Sequence, residues 1–144
     1  MYAAIDTAIV ERLTAKLDSS IKVKSAPTFE RAWEQRNMAP VVFSIWQGFS
    51  PADVNTNVPH IQQIEQTWAL LVITKNAKGG GDSLAAREDA SAISILVLES
   101  MLGYMVAPGV RLKLAGSPGV EDEGGFAYLP IGVSCRSTFK GDPG

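Results

Sequence analysis

Residues 61–104 read IQQIEQTWALLVITKNAKGGGDSLAAREDASAISILVLESMLGY, and this stretch decides the fold. Its first part predicts one long strand over Ile61–Lys75, in which alternate side chains point to opposite faces. One face would carry Ile64, Trp68, Leu70 and Val72, and the other Ala69, Leu71 and Ile73. A strand that is apolar on both faces must be covered on both faces. We therefore expect a second subunit to supply part of that cover.

A glycine triplet at residues 79–81 breaks the chain before a long helix that is apolar around most of its circumference. One stripe of this helix holds Ala86, Ala90, Ile93, Val97, Met101 and Tyr104, and a second holds Ile95, Leu98 and Leu102. Gly103 stands where a left-handed residue ends a helix. These strand and helix surfaces predict a subunit interface made of Trp68, Leu70, Leu71, Ile73, Ile95 and Leu98.

The remaining elements follow from apolar spacing. Helical spacing of Ile5, Ile9, Leu13 and Leu17 predicts an N-terminal amphipathic helix. Alternation predicts strands at residues 21–24, 41–46, 110–114 and 127–140. Residues 27–39 fit either a helical turn or irregular chain, residues 48–59 read as a polar connection, and residues 116–125 as a loop with an acidic tip. Pro130 indicates an edge position or a bulge in the last strand.

This order predicts an α+β domain, with a mainly antiparallel sheet and two helices packed on one face. Residues 1–140 would form the single domain and residues 141–144 a short C-terminal tail. The surplus of apolar surface suggests a subunit of a ring, because head-to-tail contacts between copies can close around an axis.

Composition excludes several classes of protein. The 144 residues are 46% hydrophobic with a net charge of -2, which argues against disorder and against a dedicated nucleic-acid binder. The single cysteine allows no disulfide within the chain. There is no secretory signal and no apolar run long enough to cross a bilayer, so we expect a soluble protein made in the cytoplasm.

No catalytic, metal or cofactor site can be assembled from these residues. His60 is the only histidine, and Cys135 belongs to the apolar face of the last strand. Residues 78–83 lack the lysine–hydroxyl pair of a phosphate loop. The sequence therefore predicts a protein that is not an enzyme and needs no cofactor; a ligand or catalytic site around His60 and Trp68 stays an alternative.

The order of elements resembles that of phage tail terminator proteins of the Mu-like type. The matching features are Glu11-Arg12-Leu13 at the end of the first helix, the strand Ala39-Pro40-Val41-Val42-Phe43, a glutamine-rich lead into Trp68-Ala69-Leu70-Leu71-Val72, the alanine-rich helix, and the final strand from Gly124 to Pro130. The resemblance covers nearly the whole chain and rests on this pattern of elements.

The resemblance implies a virion protein, assembled in the host cytoplasm as a homohexameric ring at the head-proximal end of the tail. Such a ring binds the last ring of tail tube protein, stops tube growth and presents a surface for the filled head, while DNA passes through its lumen without sequence-specific binding. A head-side connector or stopper is the alternative.

In such a ring, two further surfaces are expected. The contact with the tail tube or the connector is predicted at Phe49, Asp53, Asn55, Asn57, Lys75 and Lys78. The lumen is predicted to be lined by Glu121, Asp122 and Glu123, whose charge would repel passing DNA.

Overall fold

The computed structural model describes residues 2–52, 59–76 and 84–142. Three helices lie in these ranges: α1 (Tyr2–Lys16), α2 (Phe29–Glu34) and α3 (Leu84–Met101). The strands are β1 (Lys22–Ser25), β2 (Val41–Pro51), β3 (Ile61–Lys75), β4 (Met105–Ala107), β5 (Val110–Arg111), β6 (Lys113–Gly116), β7 (Glu121–Glu123) and β8 (Phe126–Lys140). The chain is a mixed α+β protein, as the sequence predicts.

The main sheet has the strand order β1-β2-β3-β8-β6, and β7 pairs with the outer side of β8. Strands β2, β3 and β8 are antiparallel neighbours, whereas β1 runs parallel to β2. The predicted long strand is confirmed: β3 pairs with β8 over its whole length, from Ile61 opposite Lys140 to Lys75 opposite Phe126. The small β4–β5 hairpin forms a sheet of its own.

Helices α1 and α3 pack together on one face of this sheet, which confirms the prediction of two helices on one face. The α1 stripe is buried there with the β3 side chains Trp68, Leu70 and Val72. The inner stripe of α3 is buried in the same cluster and comprises Ala86, Ala90, Ile93, Val97 and Met101. Helix α3 ends as expected, with Gly103 in the left-handed region at φ 76°.

The opposite face of β3 is covered by the chain itself, so the expectation that a second subunit covers this strand is wrong. Part of the segment 27–39, which fits either a helical turn or irregular chain by sequence, forms α2. Thr28 caps the N-terminus of this helix, and its hydroxyl accepts a hydrogen bond from the Arg31 N–H at 3.1 Å. Below it lies a second buried cluster of Ala26, Ala32, Val41, Phe43, Ile45, Ala69, Leu71 and Ile73. The short helix α2 therefore covers the face of β3 that a second subunit is expected, from the sequence, to cover.

The connection between β2 and β3 begins later than the sequence predicts. Gly48 adopts φ 94°, and the register slips between Trp46 and Phe49. This slip is a bulge, after which β2 continues to Pro51, opposite Ile64.

The predicted contact residues Asp53, Asn55, Asn57 and Lys78, and the glycines 79–81, lie outside the described residues.

Strand β8 can contain Pro130 because neither β6 nor β7, its two partners on the outer side, pairs with this residue. Strand β6 pairs with residues 132–134 of β8, and β7 pairs with residues 126–128. The Pro130 carbonyl accepts a hydrogen bond from the Ser117 hydroxyl on this outer side. The N–H that proline lacks would point the same way, so no ladder hydrogen bond is lost.

The acidic segment is a strand and not a loop tip as predicted. Glu121, Asp122 and Glu123 form β7, which turns through Gly124 and Gly125 and pairs with the start of β8. All three acidic side chains are exposed.

Candidate functional site

Two groups of exposed apolar side chains stand out among the residues that the structure describes. The first, here called the aromatic cleft, is a 370 Å³ depression where the N-terminus of α1 meets β2, β3 and β8. Its lining consists of Tyr2, Trp46, Phe49, Ile64, Gln66 and Phe139. The bulge in β2 aims Phe49 to the same side as Gln66, its register partner on β3.

The aromatic rings of the cleft are packed on one another. Tyr2 stacks on Trp46 with ring centroids 4.3 Å apart and planes 11° apart, and the rings of Trp46 and Phe49 are 6.5 Å apart. Phe49 nevertheless exposes 64% of its surface and Tyr2 48%. The described residues of the lining include no carboxylate, amine or imidazole, so this part of the cleft suits apolar side chains of a protein.

The second surface, here called the α3 ridge, is the helix line that points away from the sheet. It consists of Leu84, Glu88, Ile95, Glu99 and Leu102, whose spacing of three, four or seven places them on one side of the helix. The side chain of Ile95 is 55% exposed and that of Leu102 48%. Large apolar side chains in a row on a helix mark a contact surface more often than isolated ones do.

The predicted subunit interface divides between core and surface. Trp68, Leu70, Leu71 and Ile73 are at most 2% exposed, so they pack within their own chain and present nothing to another copy. Ile95 lies on the α3 ridge, and Leu98 is partly buried beside it. The part of the prediction that rested on β3 is thus corrected, and the part on α3 stays open.

Two of the predicted tube or connector contacts lie in the described residues, and the structure does not bring them together. Phe49 belongs to the aromatic cleft near the start of β3. Lys75 is exposed at the far end of β3, where its amine lies 5.2 Å from the centroid of the Phe126 ring.

The acidic strand β7 lies beside a group of aromatic side chains. The Tyr128 hydroxyl donates a hydrogen bond to Glu121, and this bond raises the pKa of Tyr128, with burial adding to the effect. Tyr128 also meets Trp33 edge-on, with centroids 4.9 Å apart. The guanidinium of Arg36 lies over the rings of Trp33 and Phe126, with its Cζ 4.9 Å from the Trp33 centroid and 5.4 Å from the Phe126 centroid.

Cys135 has the structural role that the sequence predicts. Its side chain is 1% exposed in the core between the sheet and the helices. Burial raises the pKa of its thiol, and the charge of Glu65 acts in the same direction. The thiol therefore stays protonated near neutral pH and is a poor nucleophile.

The described residues contain no group of three or more histidine, cysteine or acidic side chains arranged to hold a metal ion. In those same ranges, no helix combines the length and the apolar character needed to cross a membrane.

The aromatic cleft is what sequence reasoning missed. Tyr2, Trp46 and Phe139 stand far apart in the chain, and the pairing of β2, β3 and β8 brings them together. The sequence feature that could have revealed the cleft is the alternation of side chains along β2 and β8. It places Trp46 and Phe139 on the same face of the sheet as Trp68.

Comparison with known proteins assigns this chain to a family. A family model described as "Phage tail terminator protein" matches residues 2–136. A solved chain from "Virion of native gene transfer agent (GTA) particle" has the same fold, with a TM-score of 0.52, 14% sequence identity and coverage of 97% of both chains. No curated protein matches the sequence.

Proposed function

Because this chain belongs to the phage tail terminator protein family, and so is a structural protein of a phage tail, we propose that it ends the tail tube. Six copies close into a ring on the head-proximal end of the tube. The ring stops further addition of tube protein and gives the filled head a surface to join. DNA then passes through the lumen of the ring.

The observation that carries this proposal is the pair of unlike apolar surfaces on one chain. The aromatic cleft is a depression, and the α3 ridge is the outward side of a helix. A ring built by rotation needs two different surfaces on each copy, since each contact joins one surface to the other. Both surfaces are uncovered in the single chain, where Phe49 and Ile95 each expose more than half of their surface.

Within this ring, the predicted axial and lumenal residues other than Phe49 keep their assignments as proposals. Lys75, and from the sequence Asp53, Asn55, Asn57 and Lys78, face the tube or the connector, whereas Phe49 belongs to the aromatic cleft and faces the neighbouring copy. The exposed carboxylates of Glu121, Asp122 and Glu123 face the lumen, where like charge keeps DNA from binding.

Loss of the chain in the phage that encodes it tests the function. We expect tubes that exceed their normal length and heads that stay unjoined, seen by electron microscopy of the lysate. Supplying the intact chain from a plasmid restores normal tails. Tubes of normal length that fail only to join heads would instead support the head-side connector, and normal infectious particles would refute both functions.

A further inference from the structure

We propose that the α3 ridge of one copy packs into the aromatic cleft of the next copy, and that this contact closes the ring. The inference rests on the ring of the proposed function and adds which surfaces meet. The ridge inserts Ile95 and Leu102 among the exposed rings of Tyr2, Phe49 and Phe139.

The charges on the two surfaces favour this pairing over contacts between identical surfaces. On the ridge, Glu88 and Glu99 stand on the same line as Ile95, seven residues before it and four after it. Two ridges packed about a two-fold axis would bring these carboxylates together, and like charges repel. Among the residues that the structure describes, the cleft lining holds no carboxylate. A ridge with two glutamates therefore fits the cleft better than it fits another ridge.

The apolar area supports a specific contact. With about 200 Å² for a whole aromatic side chain, the exposed fractions of Tyr2, Phe49 and Phe139 amount to roughly 300 Å². An interface of standard size buries about 800 Å² on each partner, around an apolar core with a polar rim. The cleft supplies the apolar centre of such a contact, and Glu88 and Glu99 of the ridge belong to its rim.

Single-surface variants test the pairing. Ile95→Asp places a charge on the ridge, and Phe49→Asp places one in the cleft; both positions are exposed, so the fold is retained, which circular dichroism and melting verify. Leu114→Asp is the matched control, because Leu114 is 51% exposed on β6 and belongs to neither surface. At concentrations where the unmodified chain forms rings by light scattering, we expect both variants to be monomers and the control to form rings.

Mixing the two variants gives the sharper result. The Phe49→Asp copy keeps an intact ridge and the Ile95→Asp copy keeps an intact cleft, so one productive contact remains. We expect the mixture to form dimers and nothing larger, while each variant alone stays monomeric. A mixture that stays monomeric, or variants that still form rings, would overturn the pairing while leaving the ring itself standing. An unmodified chain that never assembles would overturn the ring, and the pairing with it.

Discussion

The ring of Tyr2, at the start of α1, lies parallel to the indole of Trp46 in β2, with centroids 4.3 Å apart. This stack joins the first turn of the helix to the sheet and forms one wall of the aromatic cleft. The N-terminal end of α1 therefore lines this cleft as well as beginning a core helix.

Removing that stack is expected to loosen the helix end. Tyr2→Ala should lower the free energy of unfolding by about 1 kcal/mol, the usual value of an aromatic pair beyond its buried area. For a chain of this size the melting temperature then falls by roughly 2–4 °C. Tyr2→Phe keeps the ring and should melt with the parent. An alanine variant as stable as the phenylalanine variant would show that the stack contributes nothing.

Asp6 ties α1 to the two strands beside it. Its carboxylate accepts hydrogen bonds from the hydroxyls of Ser44, at 2.6 Å, and Ser25. Ser44 is buried, so Asp6→Ala leaves its hydroxyl without this acceptor and should cost about 1–3 kcal/mol in urea unfolding. The double change Asp6→Ala with Ser44→Ala should recover part of the loss, because neither partner is then left alone. Additive losses in the double variant would contradict this coupling.

Glycine is required at residue 132 by the close approach of β6. A Cβ at Gly132 would lie 2.9 Å from the carbonyl oxygen of Gly116, so the backbone of one strand has to move. Gly132→Ala should therefore destabilise the protein by about 1–3 kcal/mol. Gly141→Ala is the control, since a Cβ there meets nothing closer than 3.5 Å. Equal melting temperatures for the two variants would show that β6 adjusts without cost.

Glu65 should make a small contribution to stability that depends on pH. Its carboxylate lies 2.8 Å from the amine of Lys113, and this hydrogen bond lowers the pKa of Glu65. A lowered pKa in the folded state means that the stabilisation is complete above the unfolded value of about 4.3 and is lost as pH falls through the folded value. Glu65→Gln should cost about 0.2–1 kcal/mol at pH 7 and nothing at low pH, in urea titrations at both. A cost that persists in acid would mean that the ion pair is not its source.

The sequence was sufficient wherever one local pattern decided the outcome. The alternation in Ile61–Lys75 predicts β3, one of two strands of 15 residues, and the helical spacing of Ile5, Ile9 and Leu13 predicts α1. Gly103 marked the end of α3, because a left-handed residue after a helix is most often glycine.

The sequence did not predict the features that depend on contacts between segments far apart in the chain. The apolar second face of β3 was visible, but nothing local showed that the short helix at Phe29–Glu34 would cover it. The bulge at Gly48 extended β2 beyond its apolar run. The aromatic cleft needs the register of three strands at once, which no single window of sequence contains.

We propose that a ring of this chain ends the tail tube. The most direct measurement is electron microscopy of purified tail tubes incubated with the gold-labelled protein, scored for the position of the label. We expect label at one end of each tube, in a ring of the same width as the tube, and tubes that no longer elongate when tube protein is added. Label scattered along the tubes, or tubes that carry no label and continue to elongate, would refute the proposal.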